Sequence, residues 1–125
     1  MTTKLTPSEI RAELDFRFYE GRAYPTGPSK EHPLMTSGVA RMMELCQAGW
    51  LIDRIATAQF DPPYKDELFQ VWKLVIRSDK SAELICDDGD GHVISHEEIK
   101  YTDFPLSEGI SLFMTNSTIM LPSEY

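Results

Sequence analysis

Residues Ser37 to Phe60, SGVARMMELCQAGWLIDRIATAQF, decide the fold, because they form the longest apolar run with helical spacing in the chain. The first half of this segment places its apolar residues on one stripe of a helix. These residues are Val39, Met42, Met43, Cys46 and Trp50. The second half places its apolar residues on the opposite side: Leu51, Ile52, Ile55 and Ala56. A single straight helix would therefore be apolar all round, as a deeply buried helix is.

Two shorter helices joined by a break explain this change of side better. Gly49 lies where the apolar stripe changes side, and glycine is common just past the end of a helix. We predict one helix from about Ser37 to Ala48, a kink at Gly49 and a second helix to about Gln59. Pro62-Pro63 then prevents the second helix from continuing.

Length and composition indicate a single domain that spans residues 1–125. The 42% of apolar residues and 10% of aromatic residues suit a globular core. No run of about 18 apolar residues could span a membrane, and the first ten residues lack the apolar core of a signal peptide. We therefore expect a cytoplasmic protein. Its two cysteines, Cys46 and Cys86, are expected to be buried free thiols.

The net charge of −8 is concentrated in the C-terminal part of the chain. Residues 1–78 carry ten acidic and ten basic residues, whereas residues 79–125 carry ten acidic residues and only Lys80 and Lys100. This balance disfavours nucleic-acid binding through a basic surface. It is explained either by solubility alone or by an acidic face that binds a basic partner protein, for example one that itself holds nucleic acid.

The N-terminal part carries the signals of a helix followed by a loop. Residues 6–9, TPSE, combine an N-cap, a proline at the first helical position and a glutamate three residues after the cap. The aromatic residues Phe16, Phe18 and Tyr19 are expected to clamp onto the core. Residues 21–36 hold three prolines and two glycines, and we predict a loop with little room for a helix or strand.

The second half of the chain changes from helical to strand periodicity. Residues 68–77, LFQVWKLVIR, alternate two largely apolar faces, which is typical of a central strand. Further strands are predicted at 82–87, 93–101, 110–114 and 118–121. Residues 88–91, DGDG, are predicted to form a hairpin turn. This order indicates an α+β fold in which N-terminal helices pack on an antiparallel meander sheet of four to five strands.

Local motifs for catalysis or metal binding are absent from the sequence. Residues 86–97, CDDGDGHVISHE, have the spacing of a calcium loop, but Cys86 takes its first position and strands flank it, so a hairpin turn explains the glycines better. No glycine-rich phosphate loop, nucleophile elbow, Cys-x-x-Cys or His-Glu-x-x-His motif occurs. We therefore predict no catalytic residue, metal or cofactor, although sites also assemble from distant segments.

Two functions from different classes fit the sequence. The first is a small binding protein that docks through its acidic half to a protein with a basic surface, without binding nucleic acid or membrane itself. Its predicted partner-binding residues are Asp87, Asp88, Asp90, Glu97 and Glu98. The second is a small-molecule-binding protein or enzyme with a site between the proline-rich loop and the helix–sheet seam. Its predicted ligand-binding residues are His32, Asp53, Gln59, Gln70 and Trp72.

Asp53 carries most weight in the second hypothesis. In an unbroken helix it falls on the apolar stripe of Val39 and Trp50, and a buried carboxylate needs a partner. That partner would be a loop backbone in a structural role or a ligand in a binding site. If the helix breaks, Asp53 is expected on the surface and the second hypothesis loses support.

Six segments together resemble a small uncharacterised bacterial family of unknown function. They are HPLMTSGV at 32–39, AGWLIDRIATAQ at 48–59, FQVWKL at 69–74, CDDG at 86–89, YTDFPL at 101–106 and LPSEY at 121–125. The family occurs in cyanobacteria, proteobacteria, plasmids and phages, which implies a role in conflict between host and mobile element, such as inhibition of a defence system. Where the family more often reads Thr-Asp-Gly, this chain has Thr36-Ser37-Gly38, and Ser37 is expected to cap the helix as an aspartate does.

Overall fold

The computed structural model describes residues 5–125, which form three α-helices and one mixed sheet of seven strands. The helices are α1 (Pro7–Asp15), α2 (Ser37–Cys46) and α3 (Gly49–Ala58). The strands are β1 (Ala23–Pro25), β2 (Leu34–Thr36), β3 (Phe69–Ile76), β4 (Ala82–Asp87), β5 (Val93–Ile99), β6 (Ile110–Thr115) and β7 (Thr118–Met120). Short 3-10 turns cover Tyr64–Asp66 and Pro122–Glu124. Each helix in this range is too short or too polar to span a membrane.

Capping residues determine where α1 begins. The Thr6 hydroxyl accepts a hydrogen bond from the Glu9 backbone N–H at 3.2 Å, and the Glu9 carboxylate accepts one from the Thr6 N–H at 2.9 Å. This confirms the predicted helix start. The expectation that Phe16, Phe18 and Tyr19 clamp onto the core is wrong, because these side chains are 84%, 73% and 50% exposed. The buried residues of α1 are Ile10 and Leu14, and the three aromatic residues follow the end of this helix at Asp15.

The central segment forms two helices, as predicted, and not one straight helix. α2 ends at Cys46, and Gln47 then turns the chain with a left-handed backbone conformation (φ 51°). α3 begins at Gly49. The turn lies two residues before the predicted kink, because Gln47 and not Gly49 adopts the positive φ. Asp53 is exposed on α3, as expected for a broken helix.

The sheet has the strand order β1-β2-β7-β6-β3-β4-β5, with β2 and β7 parallel and the other neighbours antiparallel. The predicted α+β class is confirmed. The predicted antiparallel meander of four to five strands is wrong in both strand number and topology. β6 pairs with β3 and not with β5, so the chain crosses to the other side of β3 after β5. Phe104 and Leu106 hold this crossing, because their buried side chains join the core.

The segment 21–36, predicted as a loop, contains two short strands. β1 and β2 pair antiparallel, and β2 pairs with β7 through Leu34↔Thr118 and Met35↔Ile119. Pro25 is the last residue of β1, an edge strand, where a proline is tolerated because its missing N–H has no ladder partner to lose. The prolines therefore mark strand ends and not the absence of strands.

The buried residues of α2, α3 and the central strands form one core cluster. The helices contribute Val39, Met42, Cys46, Leu51, Ile52 and Ile55. The strands contribute Trp72, Leu74, Leu84, Cys86, Leu112 and Ile119. Both cysteines are buried and free, as predicted. Burial raises the pKa of the Cys46 thiol to about 11 and that of Cys86 to about 12.

The N-terminus of α2 is capped by Thr36, and the expectation that Ser37 caps it is wrong. The Thr36 hydroxyl accepts a hydrogen bond from the Val39 N–H at 3.2 Å. Ser37 is the first helical residue, and its buried hydroxyl has no hydrogen-bond partner within residues 5–125. The Glu124 carboxylate also faces this helix end and accepts a hydrogen bond from the Thr36 hydroxyl at 2.6 Å. The C-terminal turn therefore supplies the negative charge that favours a helix N-terminus.

Candidate functional site

The five predicted partner-binding acids do not form one surface. Asp87, Asp88 and Asp90 lie at the turn between β4 and β5, whereas Glu97 and Glu98 lie on β5. Neighbouring residues of a strand point to opposite faces, so Glu97 and Glu98 face different sides of the sheet. The structure therefore divides these residues into a turn group and two separate strand positions.

The turn acids mainly hold the backbone of the β4–β5 turn. Asp87 is nearly buried, and its carboxylate lies 3.4 Å from the Lys73 ammonium group. Asp88 accepts hydrogen bonds from the backbone N–H groups of Asp90 at 2.9 Å and His92 at 3.2 Å, which lower the pKa of its carboxyl group. These contacts confirm the predicted hairpin turn. Asp90 is exposed and forms no ion pair within residues 5–125.

A cluster of ionisable groups spans β4 and β5 on the sheet face opposite the core helices. The ligand atoms of Glu83, His96 and Glu98 lie within 4.8 Å of one another, which is close enough for a shared metal ion. Arg77, however, donates hydrogen bonds to Glu83 at 2.9 Å and to Glu98 at 2.8 Å. The hydrogen bond from Arg77 lowers the pKa of Glu98. Because the protein's own cation compensates both carboxylates, we assign this cluster as an ion-pair network.

Three of the five predicted ligand-binding residues meet at the end of α3. The side-chain amides of Gln59 and Gln70 exchange two hydrogen bonds of 2.8 Å, and the Trp72 indole N–H donates to the Gln70 oxygen at 2.9 Å. Gln70 is fully buried, and its amide also donates to the Tyr64 carbonyl at 3.1 Å. Because these polar groups have partners inside the protein, the three residues form a structural network that fastens α3 to β3.

Within residues 5–125, the other two predicted ligand-binding residues, His32 and Asp53, form no hydrogen bond with this network and do not contact each other. The His32 ring contacts Phe60 edge-on, with ring centres 4.9 Å apart, and its Nδ1 accepts a hydrogen bond from the Ser29 N–H at 3.2 Å. These contacts give His32 a role in holding the loop before β2. Asp53 is exposed on α3 and lines a cleft that Trp72 also lines. The five residues therefore do not form one site.

A cleft of about 400 Å³ between α3 and β5 offers a better site for a ligand. We call it the α3–β5 cleft, and its lining residues are Asp53, Arg54, Thr57, Ala58, Asp61, Tyr64, Trp72, Leu84, Ser95, His96 and Glu97. Tyr64 stacks on Trp72 within this lining, with ring centres 5.5 Å apart. The cleft brings Asp53 and Trp72 of the predicted ligand-binding set together with Glu97 of the predicted partner-binding set.

Arg54 also lines a second groove of about 310 Å³ along the same seam. The other lining residues of this groove are Trp50, Ile99, Tyr101, Thr102 and Asp103. The Arg54 guanidinium group forms an ion pair with Glu97 and lies 6.0 Å from the centre of the Trp50 ring. This ion pair joins α3 to the edge strand β5 at the point that the two grooves share.

Carboxylates dominate the charge of the two grooves. The acidic residues that line the two grooves are Asp53, Asp61, Glu97 and Asp103. Arg54 is the only lysine or arginine among the lining residues. Within residues 5–125, Glu97 is the only one of these four acids in an ion pair. Carboxylates beside aromatic rings bind ammonium and guanidinium groups. The arrangement therefore suits a cationic ligand.

Sequence reasoning missed several lining residues, namely Asp61, Tyr64, Tyr101 and Asp103. They come from the end of α3, the following 3-10 turn and the corner after β5, which no local pattern connects. A signal existed for Asp61, because a charged residue directly before Pro62-Pro63 lies where the helix must end and the chain must turn at the surface. The other three required knowledge of the strand order.

A larger groove of about 550 Å³ lies between α1, the C-terminal turn and strands β3 and β6. It contains two cations, Arg11 and Lys73. Arg11 donates a hydrogen bond to Glu108 at 2.7 Å, and the Lys73 ammonium group lies 3.4 Å from Asp87. Since both cations already have partners inside the protein, this groove is a weaker candidate than the α3–β5 cleft.

Comparison with known proteins gives a family but no function. Residues 8–125 match a family described as a family of unknown function, DUF6876. This match confirms that the chain resembles an uncharacterised family, as the six sequence segments indicated. No curated protein and no solved structure matches the chain.

Proposed function

The chain belongs to the DUF6876 family of unknown function, and we propose that it is a small binding protein whose partner is a protein with a basic surface. The partner inserts lysine or arginine side chains into the α3–β5 cleft. One observation carries this proposal: Asp53 and Asp61 line the same cleft, and neither forms an ion pair within residues 5–125.

A cationic side chain gains two kinds of contact in this cleft. Its ammonium or guanidinium group donates a charge-assisted hydrogen bond to the carboxylate of Asp53 or of Asp61, so that two cationic side chains occupy the cleft together. Its charged end and its aliphatic part also pack against Tyr64, whose ring stacks on the buried Trp72. Arg54 is the opposing charge, and its ion pair with Glu97 compensates it.

Charge outside the cleft supports the same kind of partner. The chain has a net charge of −8, and residues 79–125, which include β4 and β5, carry all of it. An asymmetry of this kind steers a basic partner toward one side and raises the association rate. Four of the five predicted partner-binding acids already have partners inside the protein, so their contribution is mainly this long-range attraction.

We assign the partner to the nucleic-acid-binding proteins and the chain to their inhibitors. The resemblance to proteins of plasmids and phages supports a role in conflict with a host, such as inhibition of a defence system. A nucleic-acid-binding protein presents lysine and arginine side chains to phosphates. An acidic cleft that occupies these side chains competes with nucleic acid for the same surface. The role requires no metal, cofactor or membrane, and it places the chain in the cytoplasm.

The test uses a partner captured by the wild-type protein from an extract of its native host, which is then purified and titrated. Asp53→Asn combined with Asp61→Asn is expected to weaken binding by about tenfold or more, because two charge-assisted contacts are lost. Arg54→Gln is expected to strengthen binding, because it removes the opposing charge and releases the Glu97 carboxylate.

The matched control is Asp15→Asn combined with Glu44→Gln, which removes the same charge from exposed positions on α1 and α2. This variant is expected to change affinity by less than the cleft variant, and only through long-range attraction. An equal loss of affinity in the two double variants would show that the partner recognises the net charge and not the cleft. A loss of binding in the Arg54→Gln variant would contradict the proposed role of the carboxylates.

A small cationic molecule is a second candidate ligand for the same cleft. The volume of about 400 Å³ and the aromatic side chains of the lining are typical of small-molecule sites. A ligand present at 100 times its dissociation constant is expected to stabilise the fold by about 2.7 kcal/mol. A thermal-shift screen of metabolites measures this effect. A ligand of the cleft is expected to stabilise the Asp53→Asn, Asp61→Asn variant less than the wild type. A screen without such a hit argues for the protein partner.

A further inference from the structure

We infer that the partner's main chain docks on the free edge of β5 as an eighth strand, and that the docking segment is extended and carries lysine or arginine at alternate positions. The inference rests on the proposed function and specifies how basic side chains reach the α3–β5 cleft. It identifies the docking part of the partner's basic surface as an extended segment.

β5 is the long edge strand of the sheet. It is last in the strand order, and its inner side pairs regularly with β4 from Ala82↔Ile99 to Cys86↔Ser95, before a register shift at Cys86/Asp87 leads to Asp87↔Val93. No strand within residues 5–125 pairs with its outer side. β1, at the opposite edge, has three residues and ends in Pro25, whereas β5 has seven residues and no proline. Of the two edges, β5 therefore offers the longer row of N–H and C=O groups to an added strand.

The alternation of side chains along β5 determines the sequence pattern of the added segment. Glu97 points toward α3 and pairs with Arg54, whereas Glu98 points to the other face and pairs with Arg77. Side chains of an added strand alternate in the same way, so every second one lies beside the α3–β5 cleft. Lysine or arginine at these positions complements the carboxylates of that cleft.

Two exposed apolar side chains mark the ends of this edge. Val93, the first residue of β5, is 64% exposed, and Tyr101, just beyond its last residue, is 66% exposed. The seven residues of β5 span roughly 20 Å of extended chain, and Tyr101 follows the bend at Lys100. An aromatic side chain beside a docking site commonly contributes more to binding than its polar neighbours. We therefore expect a docking segment of about seven residues with one further residue at each end.

Charge distinguishes a basic segment from a second copy of this chain. Pairing β5 with the β5 of another copy would bring the acids of the two edges together, and like charges on adjacent strands are destabilising. The net charge of −8 on each copy further disfavours self-association. A basic segment is attracted by the same net charge and by the carboxylates of Asp53 and Asp61, which form no ion pair within residues 5–125.

The test uses a capped nine-residue peptide with lysine at every second position and threonine or valine between, titrated into the full-length protein. It is expected to bind and to slow amide hydrogen exchange in β5. In a second version of the peptide the backbone nitrogens at odd positions are methylated, and in a third version those at even positions. Every second backbone N–H of an added strand faces its neighbour, so one of these two versions lacks the N–H donors that face β5. That version is expected to bind about tenfold more weakly or worse. A version with glutamate in place of lysine is expected not to bind.

Three results would overturn edge docking: equal affinity of all N-methylated and unmethylated peptides, unchanged amide exchange in β5 on binding, or no binding of the lysine peptide. If N-methylation has no effect but Asp53→Asn with Asp61→Asn still weakens the peptide, edge docking is wrong and the cleft proposal stands. If N-methylation and the Asp53→Asn, Asp61→Asn substitutions each weaken peptide binding, the result supports both the cleft and edge docking.

Discussion

The Glu124 carboxylate lies against the backbone of Gly38, whose N–H donates a hydrogen bond to it at 3.1 Å. The same carboxylate accepts hydrogen bonds from the Thr36 hydroxyl at 2.6 Å and the Leu121 N–H at 3.0 Å. The last turn of the chain is thus fastened to the first turn of α2. Glycine permits this approach, because a Cβ at position 38 would lie 2.5 Å from Glu124 Oε1.

Replacing Glu124 with alanine is expected to lower the free energy of unfolding by about 2 to 4 kcal/mol. The substitution leaves the buried hydroxyl of Thr36 and the N–H groups of Gly38 and Leu121 without their acceptor. Glu124→Gln keeps an acceptor oxygen and is expected to lose less. Urea unfolding measures both, with the exposed Glu20→Ala as the control. An E124A protein as stable as E20A would contradict this role.

Gly38 and Gly49 lie near the starts of α2 and α3, and replacing each with alanine is expected to change the stability of the fold in opposite directions. Within a helix, alanine is favoured over glycine by about 1 kcal/mol. A Cβ at Gly49 meets open space, so Gly49→Ala is expected to stabilise the fold by about 0.5 to 1 kcal/mol. At Gly38 the contact with the Glu124 carboxylate outweighs this gain, and Gly38→Ala is expected to destabilise by about 1 to 3 kcal/mol. Stabilisation by both substitutions would show that the carboxylate moves aside at little cost.

The parts of the fold that depend on neighbouring residues were predictable from the sequence. The change of apolar side within residues 37–60 indicated two helices, and the glycines of residues 88–91 indicated a hairpin turn. β1 and β2 were not predictable, because three-residue strands show no alternation and β2 pairs with β7 from the far end of the chain. The position of β6 beside β3 was missed for the same reason, since the core and not the local sequence decides where the chain returns.

Single residues of the candidate site were predictable from the sequence, but their arrangement in one cleft was not. Asp53 and Trp72 were singled out as polar or amphipathic groups in apolar segments, and both line the α3–β5 cleft. Gln59 and Gln70 were singled out for the same reason, but they satisfy each other in a structural pair. Sequence alone does not distinguish a polar group with a buried partner from one that faces a cleft, because the partner comes from another element.

Asp88 is expected to make stability depend on pH in the acidic range. Hydrogen bonds from the backbone N–H groups of Asp90 and His92 lower the pKa of Asp88 below its ordinary value of 3.8. A carboxyl group with a lowered pKa stabilises the folded state above the unfolded-state pKa and loses this contribution as the pH falls through the folded-state pKa. The stability difference between wild type and Asp88→Asn is therefore expected to shrink between about pH 5 and pH 2. Urea unfolding at stepped pH measures it, and a constant difference over this range would contradict the assignment.

The amide pair of Gln59 and Gln70 gives a prediction about non-additivity. Gln70→Leu leaves the Trp72 indole N–H and the Gln59 amide without their partner, at a cost of about 2 to 3 kcal/mol. Gln59→Leu removes one partner of Gln70 and is expected to cost about 1 to 2 kcal/mol. The double leucine variant removes both amides at once, so its cost is expected to fall below the sum of the two by about 1 kcal/mol or more.

Urea unfolding of the four proteins in this cycle measures the coupling between the two amides. Strict additivity would show that the amides act independently and that the two 2.8 Å hydrogen bonds contribute little. Because Trp72 lines the α3–β5 cleft and loses its acceptor in Gln70→Leu, that variant is also expected to weaken binding of a basic partner. Gln59→Leu leaves the Trp72 hydrogen bond in place and is expected to bind closer to wild type, which separates positioning of the indole from overall stability.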